Sequence, residues 1–328
     1  MHVHKIILGS ILLLIQLPAF TQIRIGPQFL TEVVQRSDWN PAAMQDVNVQ
    51  VSLFNVQPFL GNTGFTVNDA LVEVPGTDSL EFSLDQLLSK LDETNVIRGD
   101  LELDYIGVAI NVKDLGMQFS LNIGSRVHSQ FGYDDELVGL LVQGNGAYIG
   151  ETVEGGPQLN IMAYTDIGVS VAKKFGNVFQ VGGRLHYLNG AIAVNTLNHE
   201  ASLTTSPEFY QLELELDYEL MASFPNLGVL DSLAQGVINE TGLRPSLNLA
   251  NNHGFSFDLS TIIRPVENME LSIGAQGLGQ ISWKNNAQKY SSQSTNSFEG
   301  YEPKNQGNEP IFERLLELDF GGIADTLS

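Results

Sequence analysis

Four acidic side chains at alternate positions come nearest, by type and spacing, to a catalytic constellation. They are Glu213, Glu215, Asp217 and Glu219, and paired carboxylates are the groups that glycoside hydrolysis uses. On an extended strand, residues two positions apart lie on one face, about 6.5 to 7 Å from each other. Four carboxylates in one row are more typical of the lining of a water-filled lumen, where they disfavour small anions. We therefore predict a lumen lining and no enzymatic activity.

Two basic side chains fall on the same side of their predicted strand as the polar residues around them. They are Arg184 and His186, and Arg126 and His128 repeat the pattern in an earlier extended stretch. We expect Arg184 and His186 to line the same lumen and to offset part of the charge of the acidic row. The alternative is that they are solvated residues without a selective role.

Histidines and glycines offer little other chemistry. Once a leader of residues 1–21 is removed, no two of the remaining histidines lie at metal-ligand spacing, so no metal site is predicted. The glycines of 144–150 resemble a dinucleotide loop, but the third glycine comes one residue too late and no βαβ pattern surrounds it. The sequence contains no nucleophile elbow, phosphate loop or EF-hand loop. We expect no cofactor.

The N-terminus predicts export. Lys5 precedes an apolar run over 6–15, and a small-x-small triplet follows at 19–21, which is the pattern of a secretory signal peptide cleaved after Thr21. A helical membrane anchor is the weaker interpretation, because spanning a bilayer takes about 20 apolar residues. Since the chain has no cysteine, it carries no lipidated N-terminal cysteine and no disulfide.

Composition restricts the class of the exported part. Hydrophobic residues make up 43% of the 328 residues, which excludes a disordered chain. The net charge of -22 repels nucleic acid phosphates, so we expect no DNA or RNA partner. Only 16% of the residues are charged and 32 are glycine, a departure from soluble domains that membrane barrels and secreted all-β proteins share.

Alternation of apolar and polar residues predicts an all-β fold. In the stretch 211–220, five apolar residues alternate strictly with five polar ones. Runs of this length fit the roughly 9 to 11 residues of a tilted membrane-crossing strand better than a sandwich strand. We predict an antiparallel up-and-down transmembrane β-barrel, with a secreted β-sandwich adhesin as the alternative. The eight candidate strands lie near 47–56, 100–112, 116–130, 157–175, 178–204, 208–223, 254–266 and 269–284.

The predicted connections alternate between short and long, as in outer-membrane barrels. Two long connections contain helical patterns, one capped by Ser83 and one over 134–142. We expect these helices either to enter the lumen or to lie on the surface. Another extended piece begins at Lys289. The short turns lie at 113–116, 173–177 and 265–268, and the long connections at 57–99, 131–156, 224–253 and 285–310.

Aromatic residues near the strand ends are candidates for the two interfacial girdles of a barrel. They are Tyr105, Tyr164, Phe175, Tyr187, Tyr218 and Trp283.

Several short motifs recur along nearly the whole exported chain in a specific order and spacing. They are Asn40-Pro41-Ala42 and the segments 144–148, 181–185, 254–259 and 279–284. With them the chain resembles the Bacteroidota family of exported barrels known as domain of unknown function 5723. That family looks like a relative of the long-chain fatty acid transporter barrels, in which an Asn-Pro-Ala element lies close to a wall opening. The resemblance implies that Asn40, Pro41 and Ala42 lie in an N-terminal plug inside the barrel.

We predict three parts: a signal peptide over 1–21, an N-terminal plug segment over 22–46 and a β-barrel domain over 47–328. Residues 312–320 have the pattern of a loop helix, and 321–328 do not have the pattern of a closing strand. We therefore expect a C-terminally truncated, incomplete barrel, because a final strand normally ends such proteins.

The expected function is passive uptake or diffusion of a hydrophobic or small solute through the cell outer membrane. The N-terminal segment is expected to gate the passage, and outer-membrane lipid is the expected partner. The alternative is a non-transporting outer-membrane scaffold for surface or secretion proteins. Either role is an analogy at the level of the fold, which does not establish a substrate.

Overall fold

A computed structural model describes most of the predicted barrel domain. The predicted signal peptide over 1–21 and the expected helix at 312–320 lie outside the described residues. Those described are 35–73, 79–207, 211–224, 252–266 and 269–299.

The described residues are mostly antiparallel β-sheet, so the all-β prediction is confirmed. All eight predicted strands are present, and the extended piece near Lys289 is a ninth long strand. Three short strands within the long connections were not predicted. The strands are β1 Val49–Asn62, β2 Leu71–Glu73, β3 Leu80–Phe82, β4 Thr94–Val112, β5 Met117–Asp134, β6 Thr152–Glu154, β7 Gln158–Phe175, β8 Phe179–Thr205, β9 Gln211–Ser223, β10 Asn252–Val266, β11 Met269–Ile281 and β12 Ala287–Glu299.

Within the described residues, three short α-helices accompany the sheet. They are α1 Gln35–Trp39, α2 Leu84–Leu88 and α3 Asp135–Gln143, and the last two are the helices that the connections predicted. Ser83 caps α2, since its hydroxyl accepts a hydrogen bond from the backbone N–H of Gln86. Among the described residues, no helix has the length and apolar content needed to cross a membrane.

The long strands follow one another around the sheet as an antiparallel meander. Tight turns at one end join β4 to β5 and β7 to β8, and both need a glycine in the left-handed region. Gly116 has a φ of 57° and Gly176 a φ of 61°. The strand ends that the connections 63–93 and 135–157 join lie at the other end of the sheet, which we call the outer end.

Four strands form two in-line pairs. Along β8, β10 pairs with residues 179–190 and β9 with residues 193–205. β11 then pairs with β10, and β12 pairs with β9. The sequence predicted 224–253 as a loop between two neighbouring strands. The register instead makes β9 and β10 two segments on the same side of β8.

The described sheet is open. Among the described strands, β1 pairs only with β4, β11 only with β10 and β12 only with β9. The predicted closure into a barrel is therefore not observed in this part of the chain.

The two faces of the sheet differ in chemistry. One face, which we call the apolar face, carries Val169, Leu185 and Leu259, which are 51%, 65% and 54% exposed. No second layer of described residues covers it, so the sandwich alternative is not observed. The opposite face, the polar face, carries Arg184 and Asp258, which oppose each other in the register and are both buried. At these positions the sheet therefore buries polar residues and exposes apolar ones.

Candidate functional site

Ion pairs join neighbouring strands across the polar face. Arg126 of β5 lies opposite Glu102 of β4, and its Nη2 is 2.7 Å from Asp104 Oδ1. Two residues further along β5, His128 Nδ1 lies 2.8 Å from Asp100 Oδ1. These groups are at alternate positions because alternate side chains of a strand point to one face.

His186 links three adjacent strands. Its Nδ1 lies 2.8 Å from Asp166 Oδ1 on β7, and its Nε2 lies 2.9 Å from Asp258 Oδ2 on β10. Because ionised carboxylates only accept hydrogen bonds, both ring nitrogens must donate, so the imidazole is a cation here. The other oxygen of Asp258 accepts the backbone N–H of Gly277 at 2.7 Å. This cluster therefore ties β7, β8, β10 and β11 together.

Arg184 fixes the N-terminal segment, which comprises residues 36–48, to the polar face. Its Nη2 donates to Ser37 O and to Asp38 Oδ1, each at 2.8 Å, and its Nη1 donates to Asp38 O at 3.0 Å. The Arg184 side chain is only 3% exposed. Burial raises the pKa of the Asp38 carboxyl, and the Arg184 guanidinium opposes that rise.

Asn40, Pro41 and Ala42, the predicted plug residues, lie against the polar face. Asn40 Oδ1 accepts the N–H of Ala42 at 3.0 Å, which forms a local turn. Asn40 Nδ2 donates to Ser272 Oγ at 2.5 Å, and the N–H of Ala42 also donates to Ser260 Oγ at 2.8 Å. The turn therefore directs one backbone donor to β10 and one side-chain donor to β11.

Small residues allow the N-terminal segment to approach β8 and β10 closely. Ala42 and Ala43 are buried together with Ile262 of β10. A Cβ at Gly182 would lie 2.2 Å from the carbonyl carbon and oxygen of Pro41. Position 182 therefore has no room for a side chain while the segment is in place.

The N-terminal segment crosses the polar face from β11 to β4 before it enters β1. At one end, Arg36 Nη2 lies 3.0 Å from Glu270 Oε1 on β11. At the other end, the N–H of Gln45 donates to Gln118 Oε1 of β5 at 2.8 Å, and Asn111 Nδ2 of β4 donates to Gln45 O at 2.6 Å. That this segment plugs a lumen, as the resemblance implies, stays a prediction.

A cavity of about 340 Å³, the inner cavity, lies beside this segment. Its size is at the lower end of the range of ligand pockets, roughly 300 to 1,000 Å³. Tyr164, predicted for an interfacial girdle, lines this cavity instead, because it lies opposite Arg126 and shares the polar face. The charged residues of the lining are Asp38, Glu102, Asp104, Arg126, His128, Asp166, Arg184, His186 and Asp258.

A second cavity of about 630 Å³, the outer cavity, lies near the outer end. Glu215 and Asp217 of the predicted acidic row line it. Glu219 lies 2.8 Å from Lys289 of β12, and Glu213 lies opposite Thr204 of β8. The acidic row is thus on β9, whereas Arg184 and His186 are in the inner cavity beside β10. The structure does not bring the two predicted groups together.

Several residues of the inner cavity were not predicted as site residues. Asp166 and Asp258 each lie at one of the alternate polar positions of their strands. This signal could have identified them as partners of His186. Asp38 gave no such signal, because it precedes the sheet in the five-residue helix α1, which has no strand alternation. Among the described residues, no group of three or more histidine, aspartate or glutamate side chains is placed to hold a metal ion.

The comparisons with known proteins identify a family. No curated protein and no solved structure matches the chain. The family described as "Family of unknown function (DUF5723)" matches residues 41–327, from Pro41 of the N-terminal segment through the whole sheet. Since this match covers most of the 328 residues, the chain belongs to the family of unknown function DUF5723.

Proposed function

We propose that the chain forms the wall of an outer-membrane β-barrel whose apolar face contacts lipid. The observation that carries the proposal is the exposure of the apolar face, represented by Leu185 at 65% and Phe255 at 68%. In water, an apolar area of this extent is unfavourable, whereas lipid tails solvate it. The polar face would then enclose the lumen.

The height of the apolar face suits a bilayer. On β7 the apolar positions Ile167, Val169 and Val171 lie between Thr165 and Lys173. Eight residue steps extend about 27 Å along a strand, or about 20 Å after a tilt near 40°. The outward apolar band of a membrane barrel is about 25 Å tall, so the two heights agree.

Aromatic side chains occur near both ends of this band, as interfacial girdles would require. The ring centroids of Phe175 and Phe179 lie 5.9 Å apart beside a tight turn, and Lys173 Nζ lies 5.8 Å from the Phe175 ring. Nearer the outer end, the ring of Tyr187 lies 5.5 Å from that of Phe255. These positions support insertion with the tight turns at one membrane surface.

Passage of a small solute by diffusion is the activity that we propose for the enclosed lumen, with the N-terminal segment as its gate. The charged lining of the inner cavity favours a polar solute over a hydrophobic one, because an apolar solute gains little beside hydrated charges. The relationship to fatty acid transporter barrels and the origin in Bacteroidota belong to the proposal and rest on the motifs alone.

Two measurements test the proposal. Membrane fractionation should place the protein with the outer membrane, and folded samples should migrate differently on gels before and after boiling. Recovery in the soluble fraction would contradict the barrel.

Purified protein in planar bilayers should then conduct. The Gly182→Ala variant should conduct more, because its new Cβ displaces Pro41. Inserted, folded protein that conducts in neither form would contradict solute passage but leave the barrel intact.

A scaffold for surface or secretion proteins is the second candidate. β8 has 27 residues, which extend about 90 Å along the strand and, even when tilted, exceed a hydrocarbon core of about 30 Å. Its outer half forms a projecting sheet with β6, β9 and β12. Co-purification of a stable surface partner, together with no solute flux, would favour this role.

A further inference from the structure

We propose that the lumen admits small cations in preference to anions. This inference rests on the proposed function and names the class of solute. It comes from the charge balance of the inner and outer cavities and from the partners that the cationic side chains already have. Charged rings in the wall of a pore select ions by attracting one sign and repelling the other.

The inner cavity has more carboxylates than cations. Its lining contains five carboxylates against two arginines, besides His128 and the protonated His186. His186 is held between Asp166 and Asp258. The lining therefore remains negative after the ion pairs are counted.

The two arginines of the inner cavity are engaged with protein groups. Arg184 donates to the main chain and carboxylate of the N-terminal segment. Arg126 contacts Asp104 and donates to the carbonyl oxygens of Leu103 and Ser125. A passing anion would have to displace these partners, whereas a cation meets the carboxylates in excess.

The outer cavity is negative throughout. Five carboxylates line it, and its lining residues include no lysine or arginine. Glu200 of β8 lies directly opposite Asp217 of β9, an arrangement of like charges that is unfavourable in a sheet. Among the described residues, neither of these two carboxylates forms an ion pair with a cationic side chain. A mobile cation would relieve this repulsion, which is a reason for cations to enter.

Both cavities lie on the same face of the sheet. Along β8, the alternate positions Arg184 and His186 line the inner cavity. Two bulges, one opposite Ala163 and Tyr164 and one between Thr196 and Asn198, shift the alternation of β8 twice. Glu200 and Ser202 therefore face the same side again and line the outer cavity. A solute that moves along the polar face from the outer end therefore meets two negative linings in series. Such an arrangement concentrates cations before they reach the inner cavity.

The test is the reversal potential of the purified full chain in planar bilayers under a KCl gradient. At about 0.1 M salt we expect K⁺ to be at least about threefold more permeant than Cl⁻. The preference should weaken near 1 M, where the Debye length falls from about 10 Å to about 3 Å.

A double variant locates the selectivity. Glu215→Gln with Asp217→Asn removes two charges from the outer cavity and should lower the K⁺ preference about twofold or more. The matched control, Asp85→Asn with Asp114→Asn, removes two charges from exposed positions that line neither cavity and should leave the preference unchanged. The single variant Glu215→Gln, at an exposed position, serves if the double variant does not fold.

The outcomes separate this inference from the proposed function. Conductance with equal permeabilities, with a Cl⁻ preference, or with a K⁺ preference that the Glu215 variants do not change, would overturn cation selection alone. Folded protein without conductance, including the Gly182→Ala variant, would overturn solute passage and this inference with it.

Discussion

Gly182 lies directly beneath Pro41. A Cβ built at Gly182 would come within 2.2 Å of the carbonyl carbon and oxygen of Pro41. The backbone of Pro41 cannot move aside as a flexible side chain could. Contact between the N-terminal segment and β8 therefore requires a glycine at position 182.

Gly182→Ala should displace the N-terminal segment while the sheet stays folded. Displacement should raise the conductance and expose residues near Asp38 to protease. The matched control is Gly183→Ala, whose new Cβ would lie 3.4 Å from Leu259 Cδ2 and meets no backbone of the segment. Equal protease sensitivity of the two variants would contradict the assigned contact.

His186→Ala should destabilise the sheet strongly. It leaves Asp258, which is buried, and Asp166, whose side chain is 15% exposed, without their shared cation. Removal of one partner of a buried ion pair typically costs about 3 to 5 kcal/mol. The free energy of unfolding in lipid vesicles, measured by urea titration, checks the size of the loss. Adding Asp166→Asn and Asp258→Asn to His186→Ala should recover part of the loss, because no carboxylate then lacks a cation.

His253→Ala is the control for that experiment. His253 Nδ1 lies 2.6 Å from the hydroxyl of Tyr187 at an exposed position, so its loss should cost about 1 kcal/mol or less. If the two histidine variants lose equal stability, His186 is not a cationic link between the strands.

Val169→Arg should impair folding in lipid far more than Val178→Arg. The two valines are 51% and 53% exposed, but Val169 lies within the apolar face and Val178 at a tight turn. An arginine costs about 2 to 4 kcal/mol at the bilayer midplane and about 0 to 1 kcal/mol near the interface. The folded fraction in vesicles, read from gel mobility, measures the difference. In a water-soluble sheet the two variants would behave alike.

Cysteine pairs should confirm that β9 and β10 follow each other along β8. The natural chain has no cysteine, so introduced pairs report without background. Val194→Cys with Ala222→Cys, and Val181→Cys with Thr261→Cys, place directly opposed residues together and should form disulfides.

Val194→Cys with Thr261→Cys is the control, because these residues belong to different segments of the sheet and should stay reduced. A disulfide in the 194/222 pair but not in the 181/261 pair would show that β10 lies elsewhere.

The strands and the loop helices are features that follow from the local sequence pattern. The alternation of Leu212, Leu214 and Leu216 with acidic residues predicts a strand wherever that segment lies, because the two sides of a strand alternate by geometry. The helix after Ser83 is equally local, since its cap lies within one turn. The sequence alone therefore determined the all-β class, the positions of the long strands, the two loop helices and the parity of Arg184 and His186.

Tertiary structure decided which of those side chains meet. Asp38 reaches Arg184 from 146 positions away, and His186 finds Asp258 from 72 positions away. Such pairs depend on which strands are neighbours and on their register. Neither is encoded in the alternation of one strand, because a shift by two residues leaves its pattern unchanged. For the same reason the acidic row, correctly predicted as one face of a strand, lies along β9 and away from the inner cavity.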